Sequence, residues 1–182
     1  MLILSTFNSE YLKSPLQDLI KEFTTESVEI KYVNTNIVGA LIDLQSNLKP
    51  LPSLAVLLRL FDLTGKCEDQ NIKEKLDENL RLVSAQINAL KKEKELPLIV
   101  FLCPSPKNFY DQALFDIEND FLTVLKDNKI HTLTQSDIRK HYLLNKVDNS
   151  VEHETHIPYT PEFYAASAIL LARRLQVLTR RP

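Results

Sequence analysis

Apolar residues along this chain fall into two alternating rhythms. Leu2-Ile3-Leu4-Ser5 predicts a short buried strand, and Thr6 to Lys13 the loop after it. Ser14-Pro15 predicts a cap and first helical turn, because proline's missing N–H would be unpaired there anyway. Leu16, Leu19, Ile20 and Phe23 follow at helical spacing. Val28, Ile30 and Tyr32 alternate with Glu29 and Lys31, the pattern of a half-exposed edge strand. Asn34-Thr35-Asn36 ends that strand and starts a short helix carrying Val38, Leu41, Ile42 and Leu44.

The middle of the chain repeats the alternation on a larger scale. Leu54 to Leu60 reads as a continuous apolar run, with Pro50 and Pro52 before it and Asp62 and Gly65 after it, as in a central strand buried on both faces. A long polar helix from Asn71 to Glu95 carries the stripe Ile72, Leu76, Leu80, Val83, Ile87 and Leu90. Leu98 to Leu102 is a further buried strand, closed by Cys103-Pro104-Ser105-Pro106. A helix with Leu114, Ile117, Phe121 and Leu125 on one face and a strand from Ile130 to Leu133 come next. Gln135 to Asn149 is polar and reads as turn and short helix. Thr160 then caps a last helix that starts at Pro161 and is mainly apolar from Phe163 to Leu178.

Strands alternating with helices predict an α/β fold with three α/β/α layers around a mostly parallel five-stranded sheet. The second strand reads as an edge and the first is short and apolar, which fits order 2-1-3-4-5, as in flavodoxin-like folds. No internal repeat, low-complexity tract or interior boundary interrupts residues 1–182, which read as one α/β domain. The chain stops just past a helix, as either a natural end or a domain cut from a longer polypeptide would.

Composition removes several functions. Net charge is -2, which gives no electrostatic reason for nucleic acid or an anionic membrane as partner. No apolar run approaches the roughly 18–20 residues of a membrane span. The start, Met1 to Ser5, is too short for a signal-peptide core and lacks a basic leader. With Cys67 and Cys103 alone, a disulfide framework is not expected, and the expected compartment is the cytoplasm. Gly39 and Gly65 are the sole glycines. A dinucleotide fingerprint or a P-loop needs several so that backbone can approach phosphate, so neither is present. No cofactor is expected.

In an open parallel sheet, ligands gather at the carboxyl ends of the strands. Those ends carry Ser5, Thr6 and Asn8 after the first strand, Asn34 to Asn36 after the second, Asp62 after the third, and Cys103 to Ser105 after the fourth. His156, shortly before the last helix, belongs on the same side. Ser5 or Thr6, His156 and Asp62 are the ingredients of a hydroxyl nucleophile, a general base and an acidic partner. Each also has a structural reading. Ser5 ends a strand, Asp62 holds the turn before Gly65, and His156 docks a loop. Cys103 reads as a nucleophile or as a small apolar residue closing a buried strand. Glu152-His153-Glu154-Thr155-His156 offers two imidazoles and two carboxylates, but no downstream His or Cys cluster and no helical spacing to complete a metal site. No metal is assigned.

Four stretches carry a family resemblance: Ile3 to Asn8, Leu57 to Asp62, Val100 to Pro106, and His156 to Phe163. The most specific is His156-Ile157-Pro158-Tyr159-Thr160, followed by Leu171-Ala172-Arg173-Arg174. Together they resemble the SGNH-hydrolase-like domain of FkbH-like proteins and related segments of nonribosomal peptide and polyketide synthases. In those proteins the domain precedes a phosphatase-like HAD domain that supplies a glyceryl unit to an acyl carrier protein. The Asp-x-Asp-x-Thr motif of that HAD domain is absent from this sequence. The resemblance maps its first block to Ser5, its third to Phe61-Asp62 and its fifth to His156. An SGNH enzyme has Gly-Asp-Ser at the nucleophile, Gly-x-Asn at the oxyanion hole and an aspartate three residues before the histidine. This chain has Leu4-Ser5-Thr6, Leu60-Phe61-Asp62 and His153 there, with Glu152 and Glu154 beside it.

The resemblance implies a degenerate SGNH-like domain of a natural-product assembly line. Its expected partners are an acyl carrier protein or adjacent synthase domains, which it would position. The alternative is a serine acyltransferase or esterase. Ser5 would be its nucleophile, His156 its base and Glu152 or Glu154 the orienting carboxylate. Thr6, Asn8, Asn36, Asp62 and Ser105 are the expected binding residues.

Overall fold

The computed structural model describes residues 1–47, 50–64, 71–106, 112–142 and 158–179. Five strands form one parallel sheet: β1 (Leu2–Ser5), β2 (Glu29–Tyr32), β3 (Leu54–Arg59), β4 (Leu98–Cys103) and β5 (His131–Leu133). Their order is β2-β1-β3-β4-β5, and every neighbouring pair is parallel, as the hydrophobic pattern predicts.

The inner strands are buried on both faces, and alternate side chains feed two separate cores. Ile3, Ala55, Leu57, Ile99 and Phe101 pack with residues of α1 (Lys13–Ile20), α6 (Gln135–His141) and α7 (Pro161–Thr179). Leu4, Val56, Leu58, Val100 and Leu102 pack with α2 (Ile37–Ser46), α4 (Ile72–Lys94) and α5 (Gln112–Asp127). Helices therefore cover both faces, giving three layers. A single turn of helix, α3 (Leu60–Leu63), stands at the carboxyl end of β3.

Local chemistry sets the element ends. Thr160 accepts the Phe163 N–H with its hydroxyl at 3.4 Å, the capping bond expected one residue before Pro161. The Glu162 carboxyl is held below its usual range by hydrogen bonds from its own backbone and from Thr160. α1 begins earlier than Ser14 suggests. Leu12 occupies the cap position with no side-chain bond, and a 3-10 turn at Glu10–Leu12 leads into it. That turn converts part of the expected loop into a continuous entry, leaving Pro15 inside the first turn of the helix, where its missing N–H is harmless. The Gln17 amide then pins the α1–β2 connection, donating to the Glu26 carbonyl (3.1 Å) and accepting from the Val28 N–H (2.6 Å).

Scarce glycine leaves its mark at the turns. Asn34, Glu95 and Lys129 adopt left-handed backbone with φ of 48°, 48° and 56°. At the end of α5 the Ile130 N–H reaches back to the Leu125 carbonyl and the Lys129 N–H to that of Lys126, both at 2.9 Å. This is a Schellman closure whose left-handed residue is usually glycine. Lys129→Gly should raise stability by up to about 1 kcal/mol, since the Cβ penalty disappears while the backbone bonds remain. The check is a higher urea midpoint at unchanged slope.

Candidate functional site

The carboxyl edge of the sheet holds a cluster of buried polar groups centred on Arg59, the last residue of β3. Its side chain ends an otherwise apolar strand and is 5% exposed. Burial of a guanidinium requires a counter-charge and hydrogen bonds. Asp62, one turn of α3 away, supplies them. Its Oδ1 accepts from Arg59 Nε at 2.9 Å and also from Nη2. Asp62 Oδ2 accepts the Thr6 hydroxyl proton at 2.9 Å, and Thr6 Oγ1 in turn accepts the Arg59 N–H at 3.0 Å. Thr6 thus joins the ends of β1 and β3 through one hydroxyl that both donates and accepts.

Two aromatics border this pair. The Phe61 ring lies 5.4 Å from the Arg59 guanidinium carbon, within cation–π range, and is partly exposed. Tyr32, at the end of β2, is exposed but has its phenol pushed up, first by partial burial, then by the Asp62 charge, with Arg59 opposing. Ser105, beyond β4, is buried and accepts the Phe61 N–H at 3.2 Å, satisfying a first-turn donor of α3.

Ser5 is wholly enclosed. Its hydroxyl donates to the Phe7 carbonyl at 2.7 Å and accepts the Phe7 N–H at 3.3 Å, a local turn that engages both of its hydrogen-bonding roles. Asn8 bends the next step of the loop. Its Oδ1 accepts the Glu10 N–H at 3.2 Å, and its carbonyl accepts the Tyr164 hydroxyl at 2.9 Å. Asn36 is exposed at the cap position of α2, and its amide occupies the space a side chain at Gly39 would need. Of the residues singled out from sequence, Thr6, Asp62 and Ser105 therefore belong to one bonded cluster. Asn36 makes no side-chain cap bond. His156, Glu152 and Glu154 lie outside the described residues.

Cys103 is buried with its Sγ 3.8 Å from the Phe101 carbonyl. Burial pushes its thiol well above the usual range, with a smaller opposing pull from Arg59. A thiol so placed stays protonated and acts as a small core residue. Among the described residues, no group of three or more His, Cys, Asp or Glu side chains could hold a metal ion, and no helix is long and apolar enough to cross a membrane.

Sequence reasoning missed Arg59, although the signal was present. A charged residue inside the apolar run from Leu54 to Leu60 must find a partner, and an aspartate stands three residues on. No role for the Tyr159 and Tyr164 hydroxyls follows from sequence, because only their neighbours fix what those hydroxyls reach.

Removing one partner of a buried pair costs more than replacing both. Asp62→Ala should lower stability by about 3–5 kcal/mol, and the double change Arg59→Met with Asp62→Leu by clearly less. Denaturant unfolding of both variants checks the order. No protein-family model matches the chain, and no curated protein matches it.

Proposed function

We propose that this chain is a degenerate SGNH-like domain of a natural-product assembly line, working in the cytoplasm. Its role is to position an acyl carrier protein or a neighbouring catalytic domain. The observation that carries this reading is the state of Ser5. A nucleophile needs access to substrate and a base within hydrogen-bond reach of its proton. The Ser5 hydroxyl is enclosed and already gives its proton to the Phe7 carbonyl.

Asp62 supports the same reading. An oxyanion hole needs donors aimed at developing negative charge. An ionised carboxylate only accepts, and Asp62 is committed to Arg59 and Thr6. The resemblance to FkbH-like domains supplies the partner class. For the acyltransferase alternative, Ser5 would have to leave its turn and meet His156.

Two measurements test the proposal. A fluorophosphonate probe should leave Ser5 unlabelled in the intact protein. Ser5 labelling that disappears in His156→Ala would establish the enzyme instead. Titration with the carrier proteins and synthase domains encoded alongside this chain should give saturable binding, and no binding to any of them would remove the positioning role.

A further inference from the structure

A second set of contacts runs from the residues just before the last helix to the Arg59–Asp62 pair. Tyr159 precedes α7 and is 3% exposed. Its ring is gripped on several sides. It stacks on Phe163 with centroids 4.2 Å apart, meets Phe7 edge-on at 5.1 Å and Tyr164 at 6.0 Å. A tyrosine held this way has one direction for its hydroxyl. That hydroxyl donates to the Pro104 carbonyl at 2.5 Å.

The Pro104 carbonyl and the Ser105 nitrogen belong to one planar peptide unit. Fixing the carbonyl therefore fixes the Ser105 nitrogen and Cα, and Cα carries the side chain. Ser105 Oγ accepts the Phe61 N–H, and the Phe61 ring covers the Arg59 guanidinium that pairs with Asp62. The contacts thus pass from Tyr159 through the Pro104–Ser105 peptide and Phe61 to Arg59 and Asp62.

We infer that Tyr159 is the positioning residue of the carboxyl edge, its hydroxyl setting the Phe61 backbone and ring through Pro104 and Ser105. The assignment stands apart from the carrier-positioning reading, because it concerns how the edge is held whatever meets it. Tyr164 provides an internal contrast. Its hydroxyl, from the first turn of α7 itself, goes to the Asn8 carbonyl in the loop after β1 and bypasses Ser105.

The test follows the Phe61 amide by NMR in protein labelled at phenylalanine, with the signal assigned from its loss in Phe61→Leu. Ser105→Ala should move that amide proton upfield and speed its exchange with water about tenfold, as expected for one lost hydrogen bond. Tyr159→Phe should move the signal the same way by a smaller amount, and Tyr164→Phe should leave it in place. Should Tyr159→Phe not fold, a ring-fluorinated tyrosine at 159 keeps the test open. Its more acidic hydroxyl donates more strongly and should shift the signal in the opposite direction. The inference is overturned if Ser105→Ala does not move the Phe61 amide. It is also overturned if neither Tyr159 variant moves it, or if Tyr164→Phe moves it as much as Tyr159→Phe.

Discussion

A parallel sheet whose inner strands are buried on both faces leaves little room for polar side chains among them. They must gather where the strands end. In this protein the rule operates with one complication. β3 ends on a charged residue, Arg59, which is itself buried. A buried guanidinium without a counter-charge would be strongly unfavourable, so the edge is arranged around satisfying it. The turn of helix directly after β3 brings Asp62 back to Arg59. Thr6, directly after β1, bonds to both, and Ser105 from beyond β4 holds the intervening Phe61 N–H. Three neighbouring strand ends are thereby tied to one ion pair.

That arrangement bears on chemistry as well as stability. The groups that an acyl-transfer site would aim at a substrate are here each engaged in hydrogen bonds within the protein. Ser5 closes a turn on Phe7, Asp62 faces Arg59, and Ser105 caps α3. Phe61 and Tyr32 remain partly exposed around the edge. A surface with bonded polar groups beneath and aromatic side chains outside suits contact with another protein better than turnover, since aromatics are enriched in such interfaces. This is the physical content of the proposed positioning role.

The fold was legible because it rests on periodicity. Leu54 to Leu58 and Leu98 to Leu102 carry no polar side chain, and few structures other than a doubly covered strand accommodate such short runs. The weak edge pattern of Val28 to Tyr32 sufficed to put β2 outside, and the order that fits flavodoxin-like folds is the one observed. Element ends were less legible. Ser14 looks like a cap, yet α1 starts at Lys13, because the 3-10 turn feeds the chain straight into the helix. The cluster was half legible. Thr6, Asp62 and Ser105 follow from the rule about strand ends, whereas their partners depend on which side chains the register brings level. Arg59 pairs with Cys103 across β3 and β4, and Ser5 lies level with Leu57 and Tyr32. Those alignments are set by tertiary packing and leave no local trace in the sequence.

The central claim is that the carboxyl edge is closed around Arg59. Water exchange of the arginine Nε protons, resolved by NMR and assigned with an Arg59→Lys variant, tests it most directly. Arg81 serves as an internal reference, since its side chain is 79% exposed. A closed edge predicts that the Arg59 Nε proton, held by Asp62, exchanges far more slowly than that of Arg81. Equal exchange at the two sites would mean that water reaches the guanidinium freely, and would contradict the account.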